Sequence, residues 1–285
     1  MNYRDALKLL PIERLRNPPP VVTVVRFDGI IGPRQWRNAV SLGSHAAALD
    51  RAFAPSRLSG VALAINSPGG SPVQSALLYR RIRQLAEEKG VPVFAFAEDV
   101  AASGGYWLAL AGDEIFAEDA SLVGSIGVVS SSFGVNRLIE RLGIERRLHT
   151  AGENKSLLDP FLPEDPADVA RLTALQQDIH ESFKDHVRRR RAGKIAAADD
   201  GLFSGEVLTG RMALARGLID GIGDLRSVLR ARFGERVRLV PIAAQRRRRW
   251  WLPRLRPAAE REAWSPVGDF LYWLEARALW ARFGL

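Results

Sequence analysis

The chain has 285 residues, 47% hydrophobic and 26% charged, which is enough to bury a sizeable core and too apolar for a disordered polymer. It contains no cysteine, so disulfides, thiolate metal sites and a cysteine nucleophile are excluded together. The formal net charge is +9, and +5 of it falls in residues 241–285, where nine arginines face four acids, leaving the rest of the chain closer to neutral.

In the first twenty residues Arg4, Asp5, Lys8, Glu13, Arg14 and Arg16 interrupt every apolar run, so no secretory signal is expected there. No window, the uncharged stretch at residues 100–112 included, reaches the roughly 18 apolar residues a membrane-spanning helix needs. The expected location is cytoplasmic, with any membrane contact peripheral. Three prolines, Pro18 to Pro20, then form a stiff punctuation before VVTVVRFDG, a β-branched run that reads as a buried strand. The ordered domain is therefore expected to begin at Val21.

Two more apolar runs of strand length follow at 61–67 and 91–98, with a helical stretch from Ser71 to Lys89 between them, marked by Leu77, Leu78, Ile82 and Leu85. Strand, helix, strand implies a parallel crossover unit and an α/β fold. A short helix opens at Gly104, and strands are expected at 114–118 and 127–134. Pro166 to Arg191 reads as a long amphipathic helix, with Asp165 as N-cap, Pro166 at its first position and Val169, Leu172, Leu175, Ile179, Phe183 and Val187 at helical spacing. Residues 204–223 read as an N-capped helix ending at Gly217, and 237–242 as a strand. The composition then shifts to RRRRWWLPRLRP and to a Trp-rich helix over 264–283. The chain thus divides into an N-terminal extension (1–20), an α/β domain (21–242) and a basic, Trp-rich extension (243–285).

Two glycine-rich turns carry the chemistry. In Asn66-Ser67-Pro68-Gly69-Gly70 a buried strand ends in two glycines that turn sharply and present unobstructed amide N–H groups, as an oxyanion hole requires. An ordinary strand-to-helix turn is the competing reading. In Ala102-Ser103-Gly104-Gly105 a serine stands after a strand and at a helix start, among small neighbours, with the Gly104 N–H placed to face a developing oxyanion. Here the competing reading is a helix N-cap. Consecutive parallel strands end on one edge of the sheet, so both turns should share one crevice.

NSPGG, then Ser103 in ASGGYW 33 residues after Gly70, then GSIGV at 124–128 and GENKS at 152–156, resembles the signal peptide peptidase A family of serine-lysine peptidases, a branch of the Clp/crotonase fold. The resemblance covers roughly 21–242 and includes SGEVLTGRMALARGLIDGIG, although Glu206 stands where an arginine is more usual. It implies a largely parallel sheet in repeated β-β-α units, a long packing helix and a helical C-terminal extension. It also implies Ser103 as nucleophile, Lys155 as general base, Gly70 and Gly104 as oxyanion donors, and Ser125 as the hydroxyl that orients the lysine amine.

The chemistry is consistent with that set. A serine needs a base to take its proton, and a lysine can serve only when neutral, which demands desolvation and no carboxylate partner. Asn154, Ser156 and Leu157 beside Lys155 are compatible with both conditions. A Clp-type Ser-His-Asp triad would place a histidine about two dozen residues after the serine, where Val128, Val129 and Ser130 stand instead. His45, His149, His180 and His186 show no metal-ligand spacing, and neither a Walker loop nor a dinucleotide fingerprint occurs, so no cofactor or metal is expected. The expected function is endoproteolysis of extended, largely apolar peptides such as signal peptide remnants, by a homo-oligomer touching anionic membrane through 246–283 and not binding nucleic acid. The alternative is a Clp/crotonase-like non-catalytic scaffold, membrane-associated or oligomeric.

Overall fold

A computed structural model of the chain describes residues 18–33, 39–195, 200–244 and 266–284. β1 (Val21–Asp28), β2 (Leu58–Ser67) and β3 (Val93–Ala102) are the three β-branched and alanine-rich runs, and they pair in parallel in the order β3, β2, β1. Their connections are α1 (Leu42–Phe53) and α2 (Pro72–Lys89). Ser41 caps α1 in a reciprocal capping box with Ser44, and Ser71 caps α2, which stops at Gly90 in the left-handed conformation.

α3 (Gly104–Ala109) follows β3 directly, and β4 (Glu114–Ala117) and β5 (Leu122–Gly124) then pair with successive stretches of β3, both in parallel. The register between β2 and β3 slips after Ile65, so the last residues of β3 are free to run on toward β5. α4 (Asn136–Arg141) and α5 (Pro166–Arg190) come next. Beyond them β6 (Val207–Thr209) pairs antiparallel with β5, α6 (Gly210–Ala215) follows, and β7 (Gly221–Ile222) pairs with β4. α7 (Leu225–Phe233) and β8 (Arg238–Ile242) complete the sheet against β1, and α8 (Pro266–Ala281) lies near the C-terminus.

The main core fills one sheet face, where Phe27, Leu63, Ile65 and Ala95 meet Leu49, Leu78, Ile82 and Tyr106 of the helices. The other face has a smaller cluster, Val22, Ala62, Phe94 and Phe96 under Leu229 of α7. Because both faces of β2 and β3 are covered, those strands are apolar without alternation. The largely parallel sheet, the long packing helix and the helical C-terminal stretch expected from the sequence are present.

Two elements differ from expectation. No strand forms over 127–134: Gly124 and Ser125 both take positive φ (99° and 51°), which ends β5, and Val129 and Phe133 beyond them are exposed. Nor is 204–217 one helix. Val207–Thr209 is drawn into the sheet by β5, and Thr209, whose side chain accepts from the Met212 N–H, caps the short α6 in place of Ser204.

Candidate active site

β3 ends at Ala102, and Ser103 adopts φ 52° and ψ −120° before α3 begins. A non-glycine residue there is strained, and the strained strand-to-helix turn lifts its side chain off the sheet edge, as a nucleophile requires. Its side chain makes no capping hydrogen bond, so the N-cap reading of this serine fails.

The glycine turn after β2 lies directly against Ser103. A Cβ on Gly69 would stand 2.8 Å from both the Gly104 N and the Ser103 Cβ, and a Cβ on Gly104 would stand 3.3 Å from the Gly70 N. The two turns can approach this closely only because Gly69 and Gly104 carry no Cβ. Gly104 opens α3, so its N–H has no partner within the helix. Among the described residues neither the Gly70 nor the Gly104 N–H donates to another backbone group outside the regular elements.

Ser125 is the second serine with positive φ, and it is buried. Its turn is joined to the nucleophile by the Ser103 N–H, which donates to the Gly124 carbonyl at 2.8 Å. Ser103 and Ser125 line one cavity of about 410 Å³, with His180, Ser204 and Arg282 on its other walls. A larger cavity, about 760 Å³, lies over the other sheet face beside Phe96, Glu98 and Leu239. Its Ser121 is occupied in hydrogen bonds to the Glu118 N–H and the Ala97 carbonyl, so the smaller cavity is the one with a free nucleophile.

The structure therefore brings Ser103, Gly104, Gly70 and Ser125 together. It does not bring Lys155 to them. Lys155 lies in a run of turns, its N–H donating to the Gly152 carbonyl at 3.2 Å; it is exposed and does not line the Ser103 cavity. The surrounding segment carries Phe133, Leu138, Leu142 and Ile144, 88%, 56%, 65% and 55% exposed. Large apolar side chains left this exposed are characteristic of interaction sites.

His180 is the cavity residue that sequence reasoning set aside. Its only local signal is its place on α5, three and seven residues before the buried Phe183 and Val187 and thus on the same face. That face packs on α3: Phe183 and His186 stack on Trp107 with ring centroids 4.8 and 5.0 Å apart. Burial, with the Arg189 and Arg190 charges, pushes the His186 imidazole down to about 4. Among the described residues no His, Asp and Glu cluster could hold a metal ion.

One strand of the sheet thus ends in a glycine turn and the next in a strained serine, with a second serine joined to it. The chain belongs to peptidase family S49, whose family model matches residues 85–234 and so spans Ser103, Ser125 and Lys155. It is 50% identical to a protein of Brucella abortus (strain 2308) named Na(+)/H(+) antiporter NhaA, over 98% of this chain and 39% of that protein. It is also 39% identical to the chloroplastic serine protease SPPA of Arabidopsis thaliana, over 56% of this chain and 24% of that protein. The chain thus spans well under half the length of both relatives. Among the described residues no helix is long and apolar enough to cross a membrane. Among solved structures, the 1510-N membrane-bound stomatin-specific protease aligns with a TM-score of 0.48 at 15% identity, over 80% of this chain and 99% of that chain.

Proposed function

We propose that this chain is the catalytic portion of a serine endopeptidase working through a Ser103-Lys155 dyad. The observation that carries the reading is the contact between the two turns, which sets the strained Ser103 against Gly69-Gly70. The Ser103 hydroxyl attacks the scissile carbonyl while the lysine amine takes its proton. The Gly70 and Gly104 N–H groups hold the oxyanion, the lysine ammonium returns the proton to the leaving amine, and water then cleaves the acyl-enzyme. Ser125 orients the amine without charging it.

Lys155 becomes a base only when desolvated, so its exposed segment must be covered. Homo-oligomerisation supplies the cover, since the apolar residues exposed in the segment before Lys155 are those a neighbouring copy would bury. The substrates are extended, largely apolar peptides such as signal peptide remnants, in keeping with the family. A non-catalytic scaffold is the second reading, favoured by the separation of Lys155 from the cavity within one chain. Peptide-library cleavage by wild type beside Ser103→Ala, with fluorophosphonate labelling, decides between them: a scaffold neither cleaves nor labels, and cleavage that survives Ser103→Ala removes the dyad.

Peripheral contact with anionic membrane through 246–283 belongs to the same reading, as does a cytoplasmic location. Residues 246–265 lie outside the described residues. In α8 the exposed Trp273 and Leu274, with Arg277 5.7 Å from the Trp273 ring, have the mixed basic and aromatic character of an interfacial helix. Loss of sedimentation with anionic vesicles in a Trp273→Ala, Leu274→Ala variant is the expected result.

A further inference from the structure

One face of α5 touches both halves of the candidate site. Phe183 and His186 stack on Trp107, whose N–H donates to the Ser103 carbonyl at 3.0 Å, so this part of α5 braces the nucleophile's own helix. One turn earlier, His180 Nε2 stands 3.1 Å from the Ile126 carbonyl oxygen in the Ser125 turn. A carbonyl only accepts, so Nε2 carries the proton in this bond.

The Ser125 turn needs outside support. Gly124 and Ser125 both have positive φ, and a serine held there persists only where its surroundings over-determine it. β5 is three residues long, and its outer neighbour β6 is no longer. The backbone fixes two points, through the Ser103 N–H on the Gly124 carbonyl and the Ser125 N–H on the Glu206 carbonyl at 2.7 Å. Ile126 anchors its side chain in the core. His180 is the one side chain that hydrogen-bonds this turn among the described residues, and it lines the cavity together with Ser103 and Ser125.

We propose that His180 is a positioning residue that fixes the Ser125 hydroxyl relative to Ser103 through the Ile126 carbonyl. The inference rests on the assignment of Ser103 and Ser125 made above. His180 transfers no proton to substrate; it acts through Ser125, and α5 is thereby the brace that holds the nucleophile turn and the base-orienting turn in one geometry.

The test compares His180→Leu and His180→Gln in the otherwise intact chain, measuring kcat and KM for a peptide substrate together with thermal stability. His180→Leu should lower kcat about tenfold with KM little changed, a loss of one well-placed hydrogen bond expressed in the transition state. His180→Gln, whose side-chain N–H reaches the same carbonyl, should recover most of that loss. Adding His180→Leu to Ser125→Ala should cost little more than Ser125→Ala alone, because both act through one hydroxyl. Wild-type kcat in His180→Leu overturns the proposal, as does a fall in thermal stability with kcat intact. Equal, near-complete loss in both His180 variants while Lys155→Ala still turns over would make His180 the base and also overturn it. Failure of the underlying site is separately visible: a Ser103→Ala variant that still cleaves removes the site whatever the His180 variants do.

Discussion

The Ser103 N–H donates to the Gly124 carbonyl at 2.8 Å, so Ser103 and Ser125, the two serines with positive φ among the described residues, are carried by turns that share a hydrogen bond. A shift in one turn is passed to the other. Ser125→Ala keeps the backbone and removes only the hydroxyl, and the expected result is a kcat loss of about 10- to 100-fold with normal folding. Ser125→Thr adds a branched side chain at φ 51° and should lower thermal stability instead. Unchanged peptide turnover in Ser125→Ala would remove this serine from the mechanism.

Ser103→Ala and Lys155→Ala should each abolish cleavage, and the double variant should be no worse than either single one, since nucleophile and base act as a unit. In one chain Lys155 is exposed and outside the cavity, so mixing the two inactive variants is informative. Recovery of activity in the mixture places the base in a neighbouring copy, and its absence places Lys155 over its own Ser103. Near-normal turnover by Lys155→Ala would end the dyad reading in either arrangement.

At Gly70 the structure separates folding from chemistry. A Cβ there would lie 2.0 Å from the Ile31 carbonyl oxygen, at φ 133°, so Gly70→Ala should cost on the order of 3 kcal/mol of stability before catalysis is affected. A melting temperature equal to wild type would contradict the packing of this turn. The oxyanion role is better read from the substrate: replacing the scissile carbonyl oxygen by sulfur should slow acylation about 100-fold or more if two N–H donors face it.

Much of the architecture is legible in the sequence because it follows from local chemistry. β-branched runs mark β1, β2 and β3, Pro166 with its apolar spacing marks α5, and the glycines before Ser71 and after Ser103 mark the crevice. What escapes depends on distant partners. Val128 and Val129 look strand-like, yet two positive-φ residues before them end the strand. Val207–Thr209 becomes a strand only because β5 lies beside it. His180 has no metal spacing and no motif, and its hydrogen bond is to a carbonyl 54 residues earlier in the chain. Lys155 sits in a recognisable motif, but the motif does not say what covers it.

His186 should make stability fall on acidification. Buried against Trp107 and Tyr79, with its Nε2 unpaired, its imidazole is held down to about 4, whereas in the unfolded chain it titrates near its ordinary 6.5. Above the higher value both states are neutral and the contribution is fully present; between 6.5 and about 4 the unfolded state takes the proton first, and up to about 3 kcal/mol is lost. Burial lowers His45 as well, so it acts in the same direction. Asp220, pushed up by burial but held below its ordinary value by Arg191 and Lys194, adds its loss only at lower pH. Thermal melts of His186→Phe should show a flatter slope between pH 6.5 and 4.5 and no loss at pH 7.5; a slope equal to wild type would exclude His186 as its source.

The exposed apolar side chains in the segment before Lys155 carry the last expectation. Phe133, Leu138, Leu142 and Ile144 each leave more than half of their surface open in one chain, too much large apolar area for a segment that stands alone. If neighbouring copies cover it, assembly and the desolvation of Lys155 are one event. Phe133→Asp with Leu142→Asp should then convert an oligomer to monomers in sedimentation velocity, at micromolar protein, and abolish peptide turnover in the same step. Neither residue lines the Ser103 cavity, so fluorophosphonate labelling that is also lost would follow from failure to desolvate the lysine and not from damage at the nucleophile. A wild-type chain that is monomeric and fully active at the same concentration would refute the coupling, and so would a charged variant that disassembles yet cleaves at the wild-type rate.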